Sequence, residues 1–224
     1  MVALQQIKTG LVADSFFLMV NDDPLSRPRL SERILALGLA GALLAELLLY
    51  DGVVGIDKGN LVRTGSRHPS DRLHAELCRA VEAETQPLPV RDWLQYLSLR
   101  AIDRVGQRLQ ARGVVQLKQS WLKVAGRAGR WVPAGTQIVN WPAIDVARKI
   151  YNGKADASTL LLFGLTHATG LDNPDLYLIR QLLTDPALLE QTLSPLANFD
   201  PALVGLLAHT EAAVGSAVTS QRRG

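Results

Sequence analysis

The side chains in this sequence that most often do acid–base, nucleophilic or metal chemistry are few and scattered. The chain has a single cysteine, Cys78, and four histidines: His68, His74, His167 and His209. These residues match no spacing typical of zinc ligands or catalytic triads. The sequence also lacks the motifs of phosphate-binding loops and calcium-binding loops. One cysteine cannot form an internal disulfide, which fits a reducing, cytoplasmic location. We therefore predict no catalytic residues, no metal site, no cofactor and no enzymatic activity.

Glu46 is the one carboxylate in the apolar run from Ile34 to Leu49, ILALGLAGALLAELLL. A buried acid can act in proton transfer, or it can be held in place by an amide of the following hairpin or by an arginine; we favour the second role. The run is shorter than the roughly 20 residues that a membrane-spanning helix needs. A helix that is apolar around most of its circumference is typical of a core helix surrounded by others.

Four arginines recur at every fourth position in the segment RAIDRVGQRLQARG: Arg100, Arg104, Arg108 and Arg112. On a helix they would share one face, where like charges repel each other by a few tenths of a kcal/mol per pair. The surrounding segment, Lys58 to Lys154, holds 17 of the 24 Lys and Arg residues but only 7 of the 21 Asp and Glu residues. This pattern is compatible with a phosphate-bearing partner, on a lipid or a nucleic acid, and equally with a basic face that is only solvated.

The pattern of apolar residues predicts a mainly α fold: one helical domain, residues 1–224, built around the apolar central helix, with short β-hairpins. A hairpin is expected around Asp57 to Asn60, and further strands in VVQLK, SWLKVAG and RWVPAG. Helices are expected over Ser66 to Glu84, in RDWLQYLSL and RAIDRVGQRLQARG, and over residues 142–151, 155–169, 174–184 and 201–219.

Four segments, in order, resemble the Golgi phosphoprotein 3 family. They are LVADSFFLMVNDD, LGLAGALLAELLLYDGVVGI, RVGQRLQARGVVQLK and ADASTLLLFGLTHATGLDN, and the resemblance extends from Leu11 to Tyr177. It implies a largely α-helical domain around an apolar helix, with one flat basic face placed against a cytosolic membrane.

The resemblance also implies a function. In this family the basic face binds phosphatidylinositol 4-phosphate, a protruding hairpin supports self-association, and eukaryotic members act as adaptors for membrane enzymes. For this chain, which resembles a bacterial member, we expect a cytoplasmic protein on the inner face of a membrane. Its expected partners are anionic phospholipid or phosphoinositide, client membrane proteins and further copies of itself through a β-hairpin.

The head-group residues of the family are not kept here. By this resemblance its tryptophan falls near Ser31, and its three pocket arginines fall on Ala40, Leu99 and Ile102. Arginines lie nearby, however, and a guanidinium can hold phosphate through two hydrogen bonds. We therefore predict that the lipid head group is bound by Arg33, Arg100, Arg104 and Arg108.

A different function is compatible with the same basic middle segment. RAIDRVGQRLQARG followed by VVQLK, SWLKVAG and RWVPAG resembles half of a winged helix, with a basic helix and a hairpin wing. The alternative to lipid binding is therefore a nucleic-acid-binding protein, and only under this alternative is nucleic acid an expected partner.

Overall fold

The fold is mainly α-helical with short β-hairpins, as the sequence predicts. The computed structural model describes residues 11–21, 28–51, 53–65, 69–118, 130–134 and 141–221. Helix α1 (Val12–Val20) is followed by α2 (Glu32–Glu46), which continues as a π-helical turn, Leu47–Asp51. The chain then forms the elements β1 (Val54–Asp57), β2 (Asn60–Arg63), α3 (Arg72–Ala83), β3 (Leu88–Pro89), α4 (Val90–Ser98) and α5 (Ala101–Ala111).

The second half of the chain begins with one more pair of strands and is otherwise helical. Its elements are β4 (Val115–Lys118), β5 (Arg130–Pro133), α6 (Trp141–Tyr151), α7 (Ala157–Thr169), a 3-10 helix (Pro174–Ile179), α8 (Arg180–Thr184), α9 (Pro186–Leu193), α10 (Leu196–Phe199) and α11 (Pro201–Gln221). The helices predicted over 142–151, 155–169 and 201–219 are confirmed. The segment predicted over 174–184 is a 3-10 helix followed by α8, and α9 and α10 were not predicted.

Helix α2 is the central helix that the apolar run predicts. Every residue from Leu35 to Glu46 is buried, and the helix packs against α1, α4, α5, α7 and α11. Two glycines let these neighbours approach closely. A Cβ atom at Gly38 would lie 2.6 Å from the Phe16 ring, and one at Gly41 would lie 2.5 Å from the Thr210 hydroxyl.

The hairpin predicted around Asp57 to Asn60 is confirmed. Strands β1 and β2 pair antiparallel, with Asp57 opposite Asn60. Lys58 and Gly59, the two residues of the turn, have φ values of 47° and 80°. Positive φ at both positions is characteristic of the tight turn that matches the twist of two-stranded hairpins.

The second hairpin packs against helix α5. Strands β4 and β5 pair antiparallel, with Leu117 opposite Trp131, and they lie within the predicted runs VVQLK and RWVPAG. The strand predicted in SWLKVAG lies outside the described residues. Gly106 of α5 makes room for Trp131, because a Cβ atom there would lie 2.4 Å from the indole ring.

Helix α3 starts later than predicted. It begins at Arg72, because the Asp71 side chain caps it by accepting hydrogen bonds from the N–H groups of Leu73 and His74 at 3.0 and 3.1 Å. A carboxylate at this position satisfies donors that have no partner inside the helix. Residues 66–68, which the prediction included, lie outside the described residues.

Among the described residues, one helix is long and apolar enough to cross a membrane by length and composition, Pro201–Ser220. It forms most of α11 and packs along α7 and α2. Buried positions recur along it at helical spacing, including Leu203, Leu206 and Thr210. One face of this helix therefore packs against the protein core, and 39% of its apolar window is buried.

Candidate functional site

A buried network of charged side chains joins four helices. Glu46, at the end of α2, is fully buried, and its Oε1 accepts a hydrogen bond from the Ala13 N–H of α1 at 2.6 Å. Its Oε2 lies 2.6 Å from His74 Nε2 of α3 and 3.1 Å from Arg108 Nη1 of α5. The predicted arginine partner of Glu46 is therefore confirmed, whereas the amide that binds it belongs to α1 and not to the hairpin.

Asp14 of α1 is the second buried acid of this network. Arg108 Nη2 lies 2.7 Å from its Oδ1, and Arg112 Nη1 lies 2.7 Å from its Oδ2. Both arginines also approach Asp71, at 3.6 and 3.8 Å. Three carboxylates thus face two guanidinium groups and one imidazole, so the charges balance when His74 is protonated.

Burial and neighbouring charge shift the pKa values within this network. Burial raises the pKa of Asp14 to about 6, against the lowering effect of its two arginines. Burial alone would lower the pKa of His74, but the hydrogen bond to Glu46 and the negative charges of Glu46 and Asp71 raise it above 6.5. Burial raises the pKa of Asp71, but hydrogen bonds from backbone N–H groups and the charge of Arg108 lower it more, so that the net shift is downward. The carboxylates around Arg108 raise its pKa above the ordinary value, against the effect of burial.

Carboxylates of the same chain pair with three of the four arginines that recur at every fourth position. Arg108 has a side chain only 7% exposed, and Arg112 pairs with Asp14. Arg104 lies 3.6 Å from Glu76 of α3 and is 31% exposed. For Arg104, Arg108 and Arg112, the anionic partners that the arginine spacing indicates are therefore carboxylates of the same chain.

A separate groove of about 1070 Å³ lies between the start of α2, the α4–α5 turn and the second hairpin. Arg33 of α2, Arg100 of the turn and Arg130 of β5 line it. Arg33 and Arg100 are exposed, and Arg33 Nη1 donates a hydrogen bond to Ser220 Oγ at 3.0 Å. Within the described ranges, no carboxylate forms a salt bridge with either of these two arginines.

The groove also contains acidic and apolar groups. Glu32 and Asp103 are among its lining residues, and Asp103 accepts a hydrogen bond from Trp131 Nε1 at 3.4 Å. Phe17, Leu30 and Leu35 contribute apolar surface. Guanidinium groups are donors suited to a phosphate, and the carboxylates in the same lining disfavour a highly charged anion.

The structure brings together only part of the predicted site. Arg33 and Arg100 line one groove, whereas Arg104 pairs with Glu76 and Arg108 belongs to the buried network. Three of the positions at or near which the sequence resemblance places head-group residues, Ser31, Leu99 and Ile102, line the groove. The fourth, Ala40, is fully buried.

Sequence reasoning missed Arg130 in the groove and Asp14 in the network. The charge excess of the middle segment includes Arg130, but nothing in its spacing connects it with Arg33. In the sequence, Asp14 is only a charged residue within an apolar segment. Such a residue indicates a buried ion pair, but the sequence does not identify the partner. Among the described residues, no group of three or more His, Cys, Asp or Glu side chains could hold a metal ion.

Comparison with known proteins identifies the family. The family model for Golgi phosphoprotein 3 (GPP34) matches residues 12–210. A search of curated proteins found no significant match. The matched region runs from the start of α1 to Thr210 in α11, so that it includes both the groove and the buried network, and the chain therefore belongs to the Golgi phosphoprotein 3 family.

Proposed function

We propose that this protein is a peripheral membrane protein that binds anionic phospholipid head groups in the groove between α2, the α4–α5 turn and β5. Arg33 and Arg100 hold the phosphate, and Arg130 lies beside them. The observation that carries the proposal is the position of these arginines in the groove that is lined by Ser31, Leu99 and Ile102. Membership of an adaptor family without enzymatic activity supports it.

The proposed site is smaller than the predicted one. Arg108 and Arg112 are committed to buried carboxylates, and an approaching head group would have to break those ion pairs to recruit them. Arg104 is partly exposed and weakly paired with Glu76, and it is the remaining candidate for a contact at the edge of the surface. Arg33 and Arg100 face no such competition within the described residues.

The nucleic-acid alternative is less well supported. A recognition helix must present several side chains to a groove or to phosphates at once. On α5, Arg104, Arg108 and Arg112 engage Glu76, Glu46, Asp14 and Asp71 instead. We therefore do not propose DNA binding, although a mobility shift with duplex DNA that disappears as salt rises would restore it.

The proposal includes the partners and location expected for the family. The protein would act at the cytoplasmic face of a membrane, engage client membrane proteins and self-associate through a β-hairpin, for which β1–β2 is a described candidate. It would do so without catalysing a reaction.

Co-sedimentation with vesicles tests the proposal. We expect binding to phosphatidylcholine vesicles that contain phosphatidylglycerol, weaker binding as salt rises, and little binding to phosphatidylcholine alone. Each basic residue near an anionic surface contributes about 1 kcal/mol, so Arg33→Gln with Arg100→Gln should weaken binding by roughly 30-fold.

The matched control removes the same charge elsewhere. Arg72→Gln with Arg79→Gln changes two exposed arginines of α3 that do not line the groove. This pair should have a much smaller effect. Equal binding to neutral and anionic vesicles at low salt, or equal losses in the two double variants, would contradict the proposal.

A further inference from the structure

Leu99 is the most exposed large apolar side chain in the part of the chain that the structure describes. It lies in the turn between α4 and α5 and is 80% exposed. Tyr96, one helical turn earlier, is 56% exposed, and its ring packs edge-on against Trp93 at a centroid distance of 5.8 Å. A lone exposed leucine needs no explanation, but an exposed leucine beside an exposed tyrosine forms a small apolar projection.

The projection is held firmly by its backbone. The Arg100 N–H donates to the Leu97 carbonyl at 3.1 Å, and the Arg104 N–H donates to the Arg100 carbonyl at 3.0 Å. Leu97 and Ala101, on either side of the turn, are buried. Leu99 is therefore directed outward by two anchored neighbours.

The residues around the projection indicate what it contacts. Arg100 is the next residue in the chain, and both Leu99 and Arg100 line the groove that also contains Arg33. Basic side chains favour the phosphate level of an anionic bilayer, tyrosine favours the interface, and leucine favours the boundary with the acyl chains. All three residue types occur together at this turn, within five positions of the chain.

We propose that the α4–α5 turn inserts into the bilayer, with Leu99 at the acyl boundary, Tyr96 at the interface and Arg100 at the phosphates. The inference rests on the proposed function and specifies how the groove is oriented, with its rim against the membrane. At one of the positions where the family resemblance places a head-group arginine, this chain therefore contributes hydrophobic contact.

Substitution of Leu99 separates insertion from charge. Leu99→Ser should weaken binding to vesicles of phosphatidylcholine with phosphatidylglycerol about tenfold, by a similar factor at low and high salt, because the lost contact is apolar. The matched control is Leu178→Ser, at an apolar position 49% exposed that does not line the groove. It should leave binding unchanged, and thermal unfolding should show that both variants remain folded.

A fluorescent label measures the depth directly. Cys78 is buried, so an environment-sensitive dye can be attached selectively to Leu99→Cys or, as a control, to Leu178→Cys in the folded protein. On vesicle binding, the dye at position 99 should shift to shorter wavelength and be quenched by spin labels near the top of the acyl chains. The dye at position 178 should do neither.

The outcomes are distinguishable. Vesicle binding without a change at position 99, and without a loss in Leu99→Ser, overturns insertion and leaves the proposed function intact. Absence of binding to anionic vesicles overturns both. If Leu99→Ser instead changes the molecular mass in solution by light scattering, while vesicle binding persists, the projection contacts another copy of the chain and insertion is wrong.

Discussion

At the scale of single residues, Glu46 interacts with three other helices through two oxygen atoms. Its partners are the Ala13 N–H, His74 and the Arg108 guanidinium. Glu46→Gln should lower the free energy of unfolding by about 3–5 kcal/mol, because it removes one of the two buried carboxylates that face Arg108, removes the counter-charge of His74 and points an amide donor at other donors. Chemical denaturation measures this change.

The matched control is Glu76→Gln. Glu76 also pairs with arginines, Arg72 at 3.3 Å and Arg104 at 3.6 Å, but these pairs lie near the surface. Its loss should cost at most about 1 kcal/mol. Similar costs for the two variants would mean that the network contributes no more to stability than a surface salt bridge.

The pH dependence of stability follows from His74 and Asp14. His74 has a raised pKa in the folded state, so its contribution is complete below about pH 6.5 and is lost as pH rises through the folded pKa. Asp14, raised to about 6, acts in the same direction at lower pH, between about 4 and 6. The free energy of unfolding should therefore fall as pH is raised through both ranges.

His74→Gln distinguishes the two groups. It should remove the fall above pH 6.5 and leave the fall between about pH 4 and 6. Urea unfolding at half-unit intervals of pH measures both slopes. A variant with the same slope as the parent above pH 6.5 would show that His74 does not bind a proton more tightly in the folded state.

The sequence predicts the types of these residues better than their partners. The four-residue spacing indicates anionic partners, and Arg104, Arg108 and Arg112 do have them. It does not distinguish a ligand from an internal carboxylate, because Asp14 and Arg108 are 94 positions apart and only tertiary packing brings them together. Two of the three groove arginines, Arg33 and Arg100, were predicted from resemblance and spacing. Arg130 was not predicted, because the pairing of β4 with β5 places it there.

At the scale of elements, close packing around α2 depends on its glycines. A Cβ atom at Gly41 would lie 2.5 Å from the hydroxyl of the buried Thr210 of α11. Gly41→Ala should therefore lower the free energy of unfolding by about 1–3 kcal/mol, despite the better helix propensity of alanine. Thermal or chemical unfolding measures the effect.

Gly205 provides the opposite case in a helix that contacts α2. A Cβ atom there meets nothing within 4 Å, so Gly205→Ala should raise the free energy of unfolding by about 0.5–1 kcal/mol. Stabilisation by both substitutions would mean that α11 can move away from α2 at little cost.

The strongly periodic or apolar elements were predictable, and the short ones were not. Continuous apolar character identified α2, and a two-residue turn between apolar runs identified the first hairpin. The helices α9 and α10 are only eight and four residues long. They were missed because so few residues carry little periodic signal, and their stability depends on contacts with neighbouring helices.

At the scale of the whole molecule, the fold cancels part of the uneven charge. The basic middle segment supplies Arg108 and Arg112, while the acidic flanks supply Asp14 and Glu46, and these groups meet in the interior. The surface is therefore less polarised than the sequence indicates. The lining of the groove combines Arg33, Arg100 and Arg130 with Glu32 and Asp103.

This balance predicts weak discrimination between anionic lipids. Vesicles with phosphatidylinositol 4-phosphate and vesicles with phosphatidylglycerol, matched in surface potential, should bind the protein with affinities within about threefold. A multiply charged head group is bound more strongly only where additional cationic side chains surround it. The carboxylates of the groove repel its additional negative charge. Co-sedimentation across both series measures the ratio, and a preference above tenfold for the phosphoinositide would contradict this prediction.

The hydrogen bond between the Ala13 N–H and Glu46 makes one backbone amide an unusual reporter. N–H groups in the first turn of a helix have no partner within it and normally exchange quickly with solvent hydrogen. The Ala13 N–H is instead bound at 2.6 Å by a carboxylate of another helix. Its exchange rate with deuterium therefore reports how often α1 separates from α2. Other amides in the first turn of a helix report only local fraying of the helix end.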